Sequence, residues 1–341
     1  MSTALSTQIQ LVARPHGWPE PSDFRTVSVE YGDLEPGQVR VENEFLSVDP
    51  YMRGRMRDEK SYVPPFVLGE TMTGGAIGRV VESASDDLPE GTVVLHQYGW
   101  RDVVQEDASG FKAVPEVPGL PLSLYLGMLG MTGLTAYAGL TRIARLEEGD
   151  TVFVSGAAGA VGTAVGQIAK LLGAGRVIGS AGSDEKVELL TSKYGYDAAF
   201  NYKNGPVREQ LAAAAPDGID VYFDNVGGDH LEAALDAFND GGRAALCGAI
   251  SVYNSTGTEP GPDNMVQLIK KSLTLEGFTV GSHLNLAGEF QELMTGWFSE
   301  GKVAYDETVV DGLENTLDAF LDMMRGANIG KMIVRTSTPG A

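Results

Sequence analysis

Along the first third of the chain, apolar and polar positions alternate in short runs. Gln38-Val39-Arg40-Val41-Glu42-Asn43 and Ile77-Gly78-Arg79-Val80-Val81-Glu82 carry the two-residue period of strands with one buried face, and turn clusters such as Asp86-Asp87-Leu88-Pro89-Glu90-Gly91 separate such runs. The pattern predicts a β-rich, barrel-like domain up to about residue 121. An apolar, glycine-containing stretch over 126–140 then reads as helix. From Asp150 the rhythm changes. Thr151-Val152-Phe153-Val154-Ser155 is a short apolar strand, a glycine-rich turn follows, and Val161, Val165, Ile168, Ala169 and Leu172 recur at helical spacing before Gly173. Strands over 176–179, 198–202, 219–223, 243–247 and 273–278 then alternate with helices, the first capped by Ser183 and closed by Gly195, the next two over 207–214 and 231–238.

Six strands alternating with helices of about ten residues imply right-handed crossovers and a parallel sheet covered on both faces, which is the doubly wound α/β arrangement. A last β-type run, Lys331-Met332-Ile333-Val334-Arg335, follows a helix over 317–324 and lies outside the alternation, free to rejoin the first domain. No internal repeat or low-complexity linker interrupts the chain.

Composition narrows the partners. At 341 residues two domains are expected, and 46 acids against 25 lysines and arginines leave a formal charge of −21. Nucleic acid and anionic membranes need basic patches, so neither is expected as a partner, whereas a phosphorylated small molecule needs only a few local donors. The same acidity suits a protein kept soluble at high salt. One cysteine, Cys247, excludes an intrachain disulfide and a multi-thiolate zinc site. His16, His96, His230 and His283 are scattered, without metal-ligand spacing, and are expected to be structural or surface residues. The first fifteen residues lack a basic segment followed by a long apolar one, and no run approaches the ~20 apolar residues of a membrane helix. A cytoplasmic location is expected.

The most specific chemistry lies after the strand at 151–155. Ser155-Gly156-Ala157-Ala158-Gly159-Ala160-Val161-Gly162 fits a dinucleotide fingerprint as A-x-G-x-x-G, in strand–turn–helix context. Gly159 lets backbone approach a pyrophosphate, Gly162 lets the helix pack on the strand, and the helix N-terminus at Ala160 and Val161 offers amide donors. A tight turn with no ligand is the bland alternative. An NAD site would place Asp or Glu about 20 residues on. Gly179-Ser180-Ala181-Gly182-Ser183 stands there instead, so a 2′-phosphate meets no carboxylate, Lys186 reaches it from one turn into the helix, and Tyr202 offers a hydroxyl. A solvated helix lysine is the alternative for Lys186. Asp184 and Glu185 oppose the phosphate but suit a helix first turn. NADPH is the expected cofactor.

Several ordered stretches carry a family resemblance. They are Val48-Asp49-Pro50-Tyr51-Met52-Arg53-Gly54-Arg55-Met56, Gly130-Met131-Thr132-Gly133-Leu134-Thr135-Ala136-Tyr137, the glycine-rich loop, Ala181-Gly182-Ser183-Asp184-Glu185-Lys186, Asn201-Tyr202-Lys203, Asp224-Asn225-Val226-Gly227-Gly228, Cys247-Gly248-Ala249-Ile250-Ser251-Val252-Tyr253-Asn254 and Asn328-Ile329-Gly330-Lys331. With these the chain resembles the zinc-independent medium-chain dehydrogenase/reductases, specifically the prostaglandin reductase and alkenal double-bond reductase group. The resemblance implies a GroES-like β-barrel catalytic domain over 1–124, completed by 312–341, around an inserted NADP-binding Rossmann domain over 125–311. It implies Lys186 and Tyr202 near the 2′-phosphate, with Asn225, Cys247, Gly248, Ala249, Ile250, Tyr253, Phe278, Thr279, Val280 and Asn328 lining the rest of the cofactor. It also implies a homodimer and reduction of the C=C bond of α,β-unsaturated ketones or aldehydes. In the metal-dependent branch a Cys, His and Glu set binds zinc. Here Leu68-Gly69-Glu70-Thr71 has no His before Glu70 and no cysteine accompanies it, so no metal site is expected.

Without a metal, the charge that develops on the carbonyl oxygen needs another donor. Tyr253, after the fifth strand of the alternation and at the sheet's carboxyl end, is the first candidate, with packing against the cofactor or a dimer contact as the alternative. Tyr51 is the second, with a core aromatic as its alternative. Met131 and Thr132 position the nicotinamide or simply pack the helix start. Cys247 reads as a buried small hydrophobe. Arg53 and Arg55 form a basic spot that meets an acidic substrate tail or, in the plainer reading, a salt-bridged loop. An NADPH:quinone reductase and a cofactor-binding protein without turnover are the competing functions.

Overall fold

The alternating runs become strands because each offers one apolar face to a core. In chain order they are β1 (Ala4–Leu11), β2 (Phe24–Tyr31), β3 (Gln38–Ser47), β4 (Ala76–Ser83), β5 (Val93–His96), β6 (Val103–Asp107) and β7 (Lys112–Ala113), with the short helix α1 (Tyr51–Arg55) after β3. There follow α2 (Met131–Ala138), β8 (Thr151–Val154), α3 (Ala160–Leu171), β9 (Arg176–Ala181), α4 (Asp184–Ser192), β10 (Ala198–Asn201), α5 (Val207–Ala214) and β11 (Ile219–Asp224). Then come α6 (Gly228–Ala237), β12 (Phe238–Leu246), α7 (Val266–Lys270), β13 (Thr274–Gly277), α8 (Ala287–Ser299), β14 (Glu307–Asp311), α9 (Thr316–Met324) and β15 (Lys331–Arg335). The structure is a computed structural model and describes residues 4–336.

The chain divides into two compact units. Among the described residues the first holds 4–126, Glu307–Asn328 and 332–336. Its seven-stranded sheet runs β14-β15-β3-β4-β5-β7, with β6 also on β3, and β1 pairs separately with β2. β3 is the organiser: β4, β6 and β15 all join it antiparallel, β15 through Ile333 opposite Ser47 and Val334 opposite Leu46. The alternation seen in the sequence explains this, since Val39, Val41, Val80, Val94 and Val104 fall on one side and bury a core with Leu88 and Phe111. The tail strand at 331–335 does return to this sheet.

The second unit comprises Gly127–Asp306 and Ile329–Lys331. Its six strands are parallel in the order β10-β9-β8-β11-β12-β13. This is the doubly wound order, reversing direction between β8 and β11, the position where such sheets open a crevice for ligands. Phe153, Ile178, Tyr222, Leu211, Ala234 and Phe238 make its core, and Phe153 stacks on Tyr222 at 5.1 Å.

Helix α2 is shorter than its apolar stretch suggests. The chain over Leu122–Leu126 forms a 3-10 turn, and α2 begins only after Gly130, whose backbone is non-helical at φ −118° and ψ −140°. At its far end the helix widens into a π-turn over Gly139–Ile143, where a side chain on Gly139 would stand 2.3 Å from the Phe223 ring. β12 begins earlier than predicted, at Phe238, because its pairing with β11 jumps from Phe238 opposite Ile219 to Arg243 opposite Val221.

Candidate active site

The phosphate loop is built by close packing. Gly156 takes φ +59°, and Ala157, fully buried, donates its N–H to the Ser180 carbonyl of β9 at 2.9 Å. A Cβ on Gly162 would lie 2.4 Å from the Gly156 oxygen and 2.6 Å from the Ala157 Cα, so only glycine lets α3 approach the turn. Gly159, extended at φ −82° and ψ 177°, is the N-cap of α3, and no side chain caps that helix. Its first amides, at Ala160 and Val161, therefore face the mouth of the loop without a side-chain acceptor, in an orientation that suits a phosphate. One participant escaped the sequence reading. Gly330 pairs with Gly159 as an isolated parallel bridge and donates its N–H to the Ala158 carbonyl at 2.9 Å.

At the end of β9 the chain passes Gly182 into Ser183, whose hydroxyl caps α4 by accepting from the Lys186 N–H at 3.3 Å. Asp184 does not stand open as a repelling group. Its Oδ1 accepts from Asn201 Nδ2 at 2.7 Å and Asn204 Nδ2 at 3.0 Å, and these bonds hold its carboxyl below the ordinary range. The clamp ties the start of α4 to the 201–204 turn. It thereby brings Tyr202 over Gly182, where a Cβ would meet the Tyr202 hydroxyl at 3.0 Å, and Lys203 towards Lys186. Burial, and after it the Lys203 charge, lower the Lys186 ammonium from its ordinary value. Two cations whose fields overlap are destabilised by each other and relieved by an anion. Lys203 stands in the Asn201-Tyr202-Lys203 stretch, whose sequence points to Tyr202 alone. What reveals its part is the Asp184 clamp, which spacing alone does not disclose.

The carboxyl ends of β8, β11 and β12 are organised by Asp224. Its buried Oδ1 accepts from Tyr222 Oη at 2.6 Å, Gly227 N at 2.8 Å, Val226 N at 2.9 Å and Ser155 Oγ at 3.1 Å. Burial raises Asp224 above the usual carboxylate range although these bonds pull the other way. Its own carbonyl accepts from Cys247 N and Gly248 N, which fixes where the 247–253 loop departs. Asn225 is locked beside it by Nδ2 to the Ser155 carbonyl at 2.8 Å. Cys247 is inert: burial, with Asp224 nearby, pushes its thiol up to about 12. Ala249 and Ile250 then turn the chain, and Tyr253 folds back so that its hydroxyl oxygen accepts from the Ala249 N–H at 3.2 Å. Burial raises the Tyr253 phenol above its ordinary value, so it stays protonated through neutral pH.

Phe278 follows β13, bonds through its N–H to the Leu246 carbonyl at 3.3 Å and packs edge-on against Phe223. Thr279 is the N-cap of the turn Val280–Leu286. Met131 is partly exposed at the start of α2, whereas the Thr132 hydroxyl is buried and finds no hydrogen-bond partner among the described residues. A buried unsatisfied hydroxyl costs free energy unless a ligand meets it, so the Thr132 hydroxyl fits a contact to a polar group of the expected cofactor. His230, also in this unit, is buried between Phe153 and Tyr202, and burial lowers it to about 4.

In the other unit, Tyr51 opens α1 beside Asp49, Arg55 and Tyr62, and burial raises its phenol well above the ordinary value. Arg55 hydrogen-bonds to Tyr51, lies 4.0 Å over the Phe66 ring and donates to the Pro64 carbonyl at 2.9 Å. Arg53 is 1 % exposed and donates to the carbonyls of Gly17 at 2.7 Å and Pro15 at 3.4 Å. Both arginines pin loops through carbonyl oxygens. Asn328 is buried before the bend at Gly330. Among the described residues no three His, Cys, Asp or Glu side chains converge to hold a metal ion, and no helix is long and apolar enough to cross a membrane.

Comparison with known proteins agrees with this architecture. Residues 7–114 match a family model described as the N-terminal domain of oxidoreductase, and residues 160–300 match one described as zinc-binding dehydrogenase. An NADPH-dependent curcumin reductase of Escherichia coli is 42 % identical over 332 residues, 96 % of each chain. Prostaglandin reductase 1 of Oryctolagus cuniculus is 46 % identical over 321 residues, 93 % of this chain and 89 % of that one. The crystal structure of CurA from Vibrio vulnificus in complex with NADPH superposes with a TM-score of 0.91 at 40 % identity, covering 98 % of this chain and 100 % of the other.

Proposed function

Since the chain belongs to the prostaglandin reductase and alkenal double-bond reductase group of the medium-chain dehydrogenase/reductase superfamily, we propose that it is an NADPH-dependent ene-reductase acting on α,β-unsaturated ketones and aldehydes. The observation that carries the reading is the pairing of a cation pocket at the end of β9 with a protonated phenol at the end of β12. One end grips a 2′-phosphate, and the other presents a donor at the sheet edge where ligands of this fold react.

The residues fit the cofactor. The uncapped start of α3 and the tight Gly159–Gly162 turn receive the pyrophosphate, Ser183, Lys186, Tyr202 and Lys203 the 2′-phosphate, and the orphaned Thr132 hydroxyl a polar group of the nicotinamide end. Asn225, the loop from Cys247 to Ile250, the stretch from Phe278 to Val280, Met131 and Asn328 complete the contacts in this proposal. The bound cofactor supplies a hydride to the substrate's β-carbon. Tyr253 donates a hydrogen bond to the carbonyl oxygen as negative charge gathers there, and the Ala249 N–H, pointing at the same phenolic oxygen, fixes its direction. A proton taken up from solvent water at the α-carbon completes the reduction.

The test is consumption of NADPH with an alkenal, a benzylideneacetone and an oxo-prostaglandin, set against quinones. Turnover of the conjugated carbonyls is expected. Activity confined to quinones, or none with any acceptor despite tight binding, would replace this reading with one of its two competitors. We further propose a homodimer. β13 is an edge strand, and α7 beside it in the chain carries Ile269 at 83 % exposure with Val266 exposed nearby. Sedimentation should report twice the chain mass, and Ile269→Asp should shift it towards monomer.

A further inference from the structure

The phosphate loop has a support on its outer side that the reaction does not explain. Gly330 belongs to the nucleotide-binding unit although Asn328 and Met332 belong to the other. It adopts φ +63°, and a Cβ there would lie 1.9 Å from the Asp306 carbonyl oxygen, so the residue is seated directly on Asp306. The Lys331 N–H donates to that same carbonyl at 3.1 Å. Asp306 is held in turn. Lys193 Nζ reaches both its carboxylate oxygens at 2.7 Å and the Tyr305 carbonyl at 3.2 Å, while the Tyr194 hydroxyl donates to Oδ2. Tyr194 is 1 % exposed, which leaves this bond little room to rearrange. Lys193 and Tyr194 directly follow α4, the helix whose other end carries Ser183 and Lys186.

From this chain of contacts we infer that Asp306, gripped by Lys193 and Tyr194, is a positioning residue for the pyrophosphate subsite: it seats Gly330, and Gly330 sets the phosphate loop through the Gly159 bridge and the Ala158 carbonyl. The inference rests on the NADPH reading above. A surface ion pair alone contributes little, but this carboxylate collects three donated hydrogen bonds and its backbone carries the Gly330 seat. Its loss loosens the loop at the point where extended Gly159 faces the ligand. The adenosine 2′-phosphate site at the far end of α4 is not on this path.

Asp306→Ala and the milder Tyr194→Phe separate the possibilities when NADPH binding to the protein without substrate is measured by nucleotide fluorescence, and adenosine 2′-monophosphate, which has no pyrophosphate, is measured by competition. Asp306→Ala should weaken NADPH about tenfold, a change of ~1.4 kcal/mol, and leave the monophosphate within about twofold. Tyr194→Phe should act in the same direction and less. In turnover, KM for NADPH should rise while kcat at saturation holds. Unchanged NADPH affinity in both variants, or equal loss of both ligands, overturns the inference, the second because it marks general damage to α4. Should Asp306→Ala fail to fold, Tyr194→Phe decides alone. A wild-type protein that binds no NADPH defeats the functional reading itself, an outcome distinct from normal binding that the variants do not alter.

Discussion

A phenol that burial keeps protonated can act at neutral pH only as a donor or a neutral acceptor, and that is the condition of Tyr253. Tyr253→Phe removes the donor and little volume. Turnover should fall about 10²-fold, the usual effect of losing one oxyanion donor, with the dissociation constant for NADPH within about twofold. A matching loss of cofactor affinity would reassign the residue to packing. Lys186→Ala removes a charge-assisted contact, so NADPH should bind about 10- to 100-fold more weakly while NADH changes little, as titration of each nucleotide would show. The residues legible from the sequence were those whose role follows from spacing along one element: Gly159 and Gly162 in the turn, Ser183 at the cap, Lys186 one turn later. Those left unassigned, Asp224, Lys203 and Gly330, act through chain distant from them, across β8, the Asp184 clamp and the Ala158 carbonyl respectively. The carbonyl contacts of Arg53 are hidden for the same reason, since nothing local announces that its guanidinium reaches Pro15 and Gly17.

Helix α4 shows how an element's two ends divide the work. Its start is fastened to the 201–204 turn by Asp184. Replacing Asp184 with Ala has two opposed consequences: a negative charge near the proposed phosphate disappears, and Tyr202 and Lys203 lose their tether. The carboxylate is solvent-exposed, so its repulsion is screened by water and salt. Loss of the tether should prevail, and Asp184→Ala should bind NADPH several-fold more weakly. Tighter binding in the same titration would show that repulsion dominates. The parallel strands were readable as elements because each is a short apolar run between turn signals, and α5 lies over the very residues its periodicity marks. Element ends set by tertiary fit were not. Gly139 opens a π-turn against the Phe223 ring, and β12 starts early because it carries a bulge of its own between Phe238 and Arg243, opposite Ile219 and Val221.

For the whole molecule, the formal charge of −21 and two buried neutral histidines set its response to solution conditions. Self-repulsion among the acids predicts that the melting temperature rises as salt increases to about 0.5 M, where the Debye length is roughly 4 Å, and activity should persist in molar salt if the acidity serves such a habitat. His230 sits at about 4 and His96 at about 3, against ~6.5 for the unfolded chain. Between those values the unfolded state binds more protons. Stability therefore falls as pH drops below about 6.5 and, for His230, levels off below about 4, a loss on the order of 3 kcal/mol. His230→Phe, which also removes the unpartnered buried Nε2, should flatten that part of the melting curve against pH. A last consequence follows from β15 completing the sheet beside β3. On the ribosome β3 emerges early, and the strand that covers part of its edge is translated only after the entire nucleotide-binding unit. Nascent chains thus spend most of translation with that edge bare, and slow elongation or crowded overexpression should favour inclusion bodies through it. A chaperone that shields extended segments should raise the yield more than one that acts after release.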